Sequence, residues 1–194
     1  MKQNSLLFIS LLILVSLIGC APGLVDIPLE WKPTSNLFDF DTTTLTNLYT
    51  KKIKIALFID KRENKYEIGK NIERKKDKLV TTKDDVALWC TERLKSTLSQ
   101  LGFSIVDSNE DIILGGEILD FYVTEAATYK ANIGFKVVAE TPSGIVLWQG
   151  ITSGKSTRFG HSYSLENYYE ALSNAYVEAV HGLLKSKEFA EAIK

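Results

Sequence analysis

The stretch from Lys130 to Thr157 does most to limit what this chain of 194 residues can become. Ala131, Ile133, Phe135, Val137 and Ala139 fall at every second position, and side chains alternate across a strand, so all five share one face. Pro142-Ser143-Gly144 then supplies turn chemistry, and Ile145 to Thr157 returns as a second strand. The two read as an antiparallel hairpin. A long hairpin with one apolar face needs a second layer to cover it.

Two amphipathic stripes can supply that layer. Ser164 stands as an N-cap before Leu165, Tyr168, Tyr169, Leu172, Tyr176, Ala179, Val180, Leu183 and Leu184, which recur at helical spacing and predict a helix over about Leu165 to Lys185. Earlier, Thr81, Thr82, Asp84 and Asp85 have capping-box-like spacing, and Val86, Cys90, Leu94, Leu98 and Leu101 follow until Gly102. That pattern predicts a helix from Lys83 to Leu101, with Trp89 at the rim of its apolar stripe. Elsewhere "KKIKIALFID", Lys51 to Asp60, predicts one strand with Ile53, Ile55, Leu57 and Ile59 on a common face. Phe103 to Asp107 and Ile112 to Thr124 predict two more, with Gly115 and Gly116 marking a bulge or a close backbone approach. The charged run Lys61 to Lys78 reads as an exposed loop or a short extended excursion. Its Arg74, Lys75, Lys76 and Lys78 also form a candidate basic patch for anionic lipid head groups. The order β-α-β-β-β-β-α predicts an α+β fold: a two-layer sandwich, mostly antiparallel sheet against two amphipathic helices, in one domain over 51–194.

The N-terminus reads differently. Met1-Lys2 is followed by an apolar run from Leu6 to Ile18 of about 13 residues, the length of a signal-peptide core and short of the ~20 that a membrane span needs. The run ends in Leu17-Ile18-Gly19-Cys20, which resembles the bacterial lipobox. The resemblance implies removal of 1–19 as a signal peptide, a diacylglycerol thioether on Cys20, and acylation of the new amino terminus. One acyl chain anchors marginally and two or three anchor stably. Ala21, where Asp would resemble an inner-membrane retention signal, favours an outer membrane with the domain facing the periplasm. Residues 20–50 then form the lipidated cysteine and a tether, with Pro22, Gly23, Pro28 and Pro33. Leu29, Trp31, Leu37, Phe38 and Phe40 make this tether too apolar to be wholly free, so part of it packs on the domain edge or, at Trp31, meets a partner.

Charge and motif content exclude several classes of function. Net charge is -1; loss of 1–19 removes Lys2 and leaves 22 Lys+Arg against 24 Asp+Glu, or -2, which gives no footprint for nucleic acid. With Cys20 lipidated, Cys90 has no partner for a disulfide, and its place in a helical stripe makes it a small core residue. His161 and His181 are the only histidines, and no HExxH, CxxC or GxSxG pattern accompanies them. His161 with Ser162 or Ser164 makes no triad by adjacency alone. Asp84 with Asp85, and Glu110 with Asp111, are neighbours that point apart or sit in a turn. The chain therefore carries no metal or cofactor motif, and a non-enzymatic role is expected. Asp60 and Arg62, alternate residues leaving a strand, face one side and can fix a loop or contact a ligand.

The segments "IALFIDKREN" with Ile68-Gly69, "LKSTLSQLGFSIV" (Leu94 to Val106), "LGGEILDFYV" (Leu114 to Val123) and the hairpin reaching Trp148 together resemble small bacterial lipoproteins of the YajG type. More distantly they resemble ABC-transport auxiliary lipoproteins, which are thought to serve lipid or solute export. The resemblance covers roughly Ile53 to Leu184 and implies an envelope role by analogy.

Two classes of function follow. One is a non-catalytic accessory or interaction lipoprotein of an assembly or transport complex, with Asp60, Arg62, Trp31 and Trp148 as candidate contacts to envelope proteins or a ligand; a secretion or surface-appendage subunit differs from it only in partner. The other is a lipid or small-ligand carrier, which needs a gap between helices and sheet lined by groups such as Phe121, Phe135, Trp148 and Tyr169.

Overall fold

The computed structural model describes residues 23–36, 45–73, 76–160 and 163–194. After a 3-10 turn at Leu48–Thr50 the chain forms β1 (Lys52–Ile55), β2 (Ile59–Asp60), β3 (Glu67–Asn71), β4 (Lys78–Thr81), α1 (Val86–Gln100) and β5 (Ser104–Ile105). The meander β6 (Ile112–Glu125), β7 (Thr128–Glu140) and β8 (Val146–Phe159) follows, then α2 (Leu165–Leu184) and α3 (Lys187–Ala192). The alternation behaves as the sequence requires: Ala131, Ile133, Phe135, Val137 and Ala139 are all buried. Each large member of that row contributes about 1.5–3 kcal/mol by leaving water.

The long central strand β6 organises the sheet. One of its edges pairs antiparallel with β7, which pairs with β8. Its other edge is shared end to end by three short parallel partners, β1 at Ile112–Leu114, β2 at Glu117–Ile118 and β3 at Val123–Glu125. β5 lies parallel beside β1, and β4 antiparallel beside β3. The result is a mixed, mostly antiparallel open sheet with helices on one face, a two-layer α+β sandwich.

Helix α2 packs on β8 along a track of small residues. A Cβ at Gly154 would run into the backbone of Ala175 and Ala179. On either side, Thr152 Oγ1 donates to the Ala179 carbonyl at 2.6 Å and Ser156 Oγ to that of Ala171 at 2.7 Å. Tyr176 OH crosses to the Cys90 carbonyl at 2.6 Å and ties α2 to α1.

Several sequence expectations need correction. The first strand is broken: β1 buries Ile53 and Ile55, but Leu57 and Ile59 are exposed and Phe58 is buried instead. The reversal has a cause, because the Phe58 amide leaves the sheet to donate to Thr91 Oγ1 on α1 at 3.0 Å. The run Lys61 to Lys78 contains β3, whose Ile68, Gly69 and Asn71 are buried, and the start of β4. Helix α1 begins at Val86, after the Asp85 carboxylate caps the Leu88 amide at 3.0 Å. A third helix follows Ser186, whose hydroxyl accepts from the Phe189 amide. The order is thus ββββαββββαα rather than β-α-β-β-β-β-α. Gly116 marks the close approach expected of it, since a Cβ there would strike the Lys136 carbonyl, while the register shift of β6 falls further on, between Ile118 and Asp120.

Candidate functional site: the strap and the buried ion pair

The first described residues lie on the domain as a strap. Leu24 and Ile27 exchange backbone hydrogen bonds with Thr81 at the exposed edge of β4, at 3.0 and 2.8 Å. The Leu24 amide also donates to Tyr163 OH, whose own proton goes to the Leu79 carbonyl. Further along, the Leu29 amide donates to Asp84, the Lys32 amide to Ser173 Oγ, and the amides of Thr34 and Ser35 both to Asn174 Oδ1. Residues 23–36 therefore run from the β4 edge past the start of α1 and onto α2. Leu29 and Trp31 pack against the core.

Trp31 fixes the middle of the strap. Its ring meets Trp89 and Tyr176 edge-on at centroid distances of 5.8 and 5.7 Å, and the Arg93 guanidinium lies 5.9 Å over it. Trp89 in turn touches Phe121, and Tyr176 touches Phe135, so an aromatic chain leads from the strap through the helix layer to the sheet. Such edge-to-face pairs contribute about 0.5–1.5 kcal/mol each beyond burial. Lys32 lies between Glu30 and Glu166, and its hydrogen bond to Glu166 is the main cause holding its ammonium above the usual lysine value.

Asp60 and Arg62 form an ion pair whose side chains are 8% and 7% exposed. Arg62 Nε and Nη2 fork onto the two carboxylate oxygens of Asp60 at 3.0 and 2.7 Å. The remaining donors go to the carbonyls of Glu67, Phe121 and Lys65. All five N–H donors of the guanidinium are thereby used within the chain. This pair shapes the loop over 61–66.

Trp148 is half-buried and packs edge-on against Phe189 of α3 at 5.1 Å, so it closes the end of the helix layer. Cys90 is buried, and loss of hydration pushes its thiol well above the ordinary value. His181 is buried in α2. Cys20, Arg74, Lys75, His161 and Ser162 lie outside the described residues.

The sequence reading missed Glu125, which is fully buried at the end of β6. Its carboxylate accepts from Tyr129 OH, Tyr168 OH and the Tyr163 amide, each at 2.8 Å. Burial first, and then this carboxylate, holds the Tyr168 phenol far above its ordinary value, and burial raises that of Tyr129. The signal was a lone acid beside apolar strand residues, with tyrosines clustered downstream.

A carrier needs space between the layers. The gap bounded by Phe58, Phe135, Val137, Tyr176 and Val180 holds only about 10 Å³, and Phe121, Phe135 and Tyr169 of the supposed lining are packed core. The larger depressions are open surface. One of about 510 Å³ runs from Leu57 and Asp60 to Tyr66, Lys83 and Val86; another of about 280 Å³ lies beside Gly115 and Gly116, with Leu57, Ile59 and Val138 around it. Among the described residues no group of three or more His, Cys, Asp and Glu could hold a metal ion, and no helix is long and apolar enough to cross a membrane.

These features define a two-layer α+β domain strapped by its own N-terminal segment. No family model and no curated protein matches the chain. Solved structures do: a Xanthomonas campestris protein of family model DUF330 superposes with a TM-score of 0.55 at 11% identity, over 73% of this chain and 86% of that one. A PelC dodecamer from Paraburkholderia phytofirmans gives 0.41 at 12% identity, over 75% and 90%. Lipoprotein GNA1162 from Neisseria meningitidis gives 0.35 at 12%, over 55% and 83%. The first of these likenesses shows that the fold is shared with a solved bacterial protein; the other two carry no further argument.

Proposed function

We propose that the chain is a bacterial envelope lipoprotein, lipidated at Cys20 after loss of 1–19, whose domain serves as a non-catalytic accessory module in an assembly or transport complex. The observation that carries this reading is the strap. Residues 23–36, which begin three positions after Cys20, are fixed across β4 and both long helices, as suits a domain held by its N-terminus. The filled gap between helices and sheet favours an accessory over a carrier of lipid or small ligands. The YajG-type resemblance supports the same role, and Ala21 supports an outer-membrane address facing the periplasm.

A partner is expected at Leu57 and Ile59, which are 60% and 55% exposed because the strand reverses phase there. They flank the depression floored by Gly115 and Gly116, where a partner can approach the bare backbone closely. The test is affinity purification from detergent-solubilised membranes with Cys20 intact. Envelope proteins should co-purify with the wild-type chain and be lost from Ile59→Asp. Recovery of free monomer alone contradicts the reading.

A further inference from the structure

We infer that one end of the domain, where the β3–β4 and β6–β7 turns meet the close of β8, lies directly on the lipid surface that holds Cys20. The inference rests on the lipidation proposed above and adds an orientation to it. Only Ala21 and Pro22 separate Cys20 from Gly23. A fully extended chain gains at most about 3.6 Å per residue, so Gly23 stands within roughly 11 Å of the acylated residue. Gly23 is followed at once by Leu24, held by Tyr163 OH and Thr81. There is no slack for the domain to stand away from the bilayer or to turn its other end towards it.

The surface at this end has the chemistry of a lipid contact. Val25, Ile72, Leu79 and Phe159 are exposed there by 62%, 42%, 48% and 75%. They belong to one rim: Tyr163 OH joins Leu24 to Leu79, Ile72 donates its amide to the Glu125 carbonyl, and Phe159 pairs with Thr128 just past the β6–β7 turn. Strand register places Leu79, Lys70, Thr124 and Lys130 in a single row across the sheet behind it. Exposed Lys76 stands in the β3–β4 turn, where Glu73 and Asp77 are the acidic neighbours and Asp77 lies 3.6 Å from Lys70. Lysines around separated apolar side chains suit the phosphate layer of a leaflet, with the apolar groups reaching just below it. The opposite end, the β7–β8 turn at Ser143, is about 40 Å away along β7 at ~3.3 Å per residue.

The test uses the lipidated full chain in vesicles of phosphatidylethanolamine and phosphatidylglycerol carrying a headgroup nitroxide. A fluorophore is placed on Leu79→Cys, Phe159→Cys or Ser143→Cys in turn; buried Cys90 is shielded from the reagent. Quenching several-fold stronger at positions 79 and 159 than at 143 is the expected result. Equal quenching at all three positions, with the lipid adduct on Cys20 confirmed by mass, overturns the orientation and leaves the lipoprotein reading standing. Shielding of position 79 from the nitroxide by a co-purifying protein also overturns it. Absence of the adduct overturns both.

Discussion

Two buried polar clusters decide much at the scale of single residues, and each draws partners from far along the chain: Phe121 for Arg62, and Tyr163 and Tyr168 for Glu125. Arg62 uses every donor it has on Asp60 and three carbonyls, so Arg62→Ala leaves a carboxylate buried without its partner. Stability should fall by about 3–5 kcal/mol, and Arg62→Lys should recover little because an ammonium cannot reproduce the fork. Urea unfolding measures this; an unchanged midpoint in Arg62→Ala would contradict it. Glu125 accepts three hydrogen bonds, and Glu125→Gln replaces one accepting oxygen by a donor, at a cost of about 1–3 kcal/mol. The phenols around the core set the alkaline limit. In the unfolded chain they ionise near the ordinary value of about 10, whereas burial raises Tyr129 and Tyr168 and pushes Tyr169 up to about 12. Above pH ~10 the unfolded chain has therefore lost more protons than the folded one, so stability is complete below that pH and declines as pH rises. Urea midpoints should drop between pH 9 and 11; a flat profile would contradict the assignment.

Among the elements, the strap and α2 are the ones whose loss is most informative. Trp31→Ala removes the ring between Trp89 and Tyr176 and should cost about 3 kcal/mol, the lower end for a large aromatic because Trp31 is only half-buried. Hydrogen exchange at Leu24 and Ile27 should then speed up while the amides of β7 stay protected; uniform protection would show that the strap does not depend on Trp31. Gly154→Val forces α2 off β8, since even a Cβ meets the backbone of Ala175 and Ala179, and the melting temperature should fall by several degrees. The long strands and α2 were legible because each repeats one period over many residues. β1 and β2 were misread as one strand because Phe58 turns inward for a hydrogen bond to Thr91, a partner more than thirty residues away. β3 was obscured by its own composition, "EIGKN", in which Gly69 is buried between the Val123 backbone and Tyr168. Asp60 and Arg62 could be picked out from their spacing, but the carbonyls that consume the remaining donors come from Lys65, Glu67 and Phe121, which no local pattern connects to them.

At the scale of the whole molecule three things come together: a proposed lipidation at Cys20, a strap fixed across the helix layer, and a two-layer domain with a closed interior. The first is an expectation from the sequence, and the two layers were legible in its periodicity, whereas the closed interior became visible only with the fold. The second emerged only with the fold, because the partners of residues 23–36 are scattered over Thr81, Asp84, Trp89, Ser173 and Asn174. The central claim is that this domain works while held to a membrane by Cys20. Its most direct test is the intact mass and N-terminal sequence of the mature chain recovered from cell envelopes. The expected result is a chain that starts at Cys20 and carries a diacylglyceryl adduct on it, with Cys20→Ala abolishing both the adduct and the cleavage, so that the chain stays as unprocessed precursor. A mature chain with an unmodified Cys20, or one that begins elsewhere and needs no detergent for extraction, would contradict it.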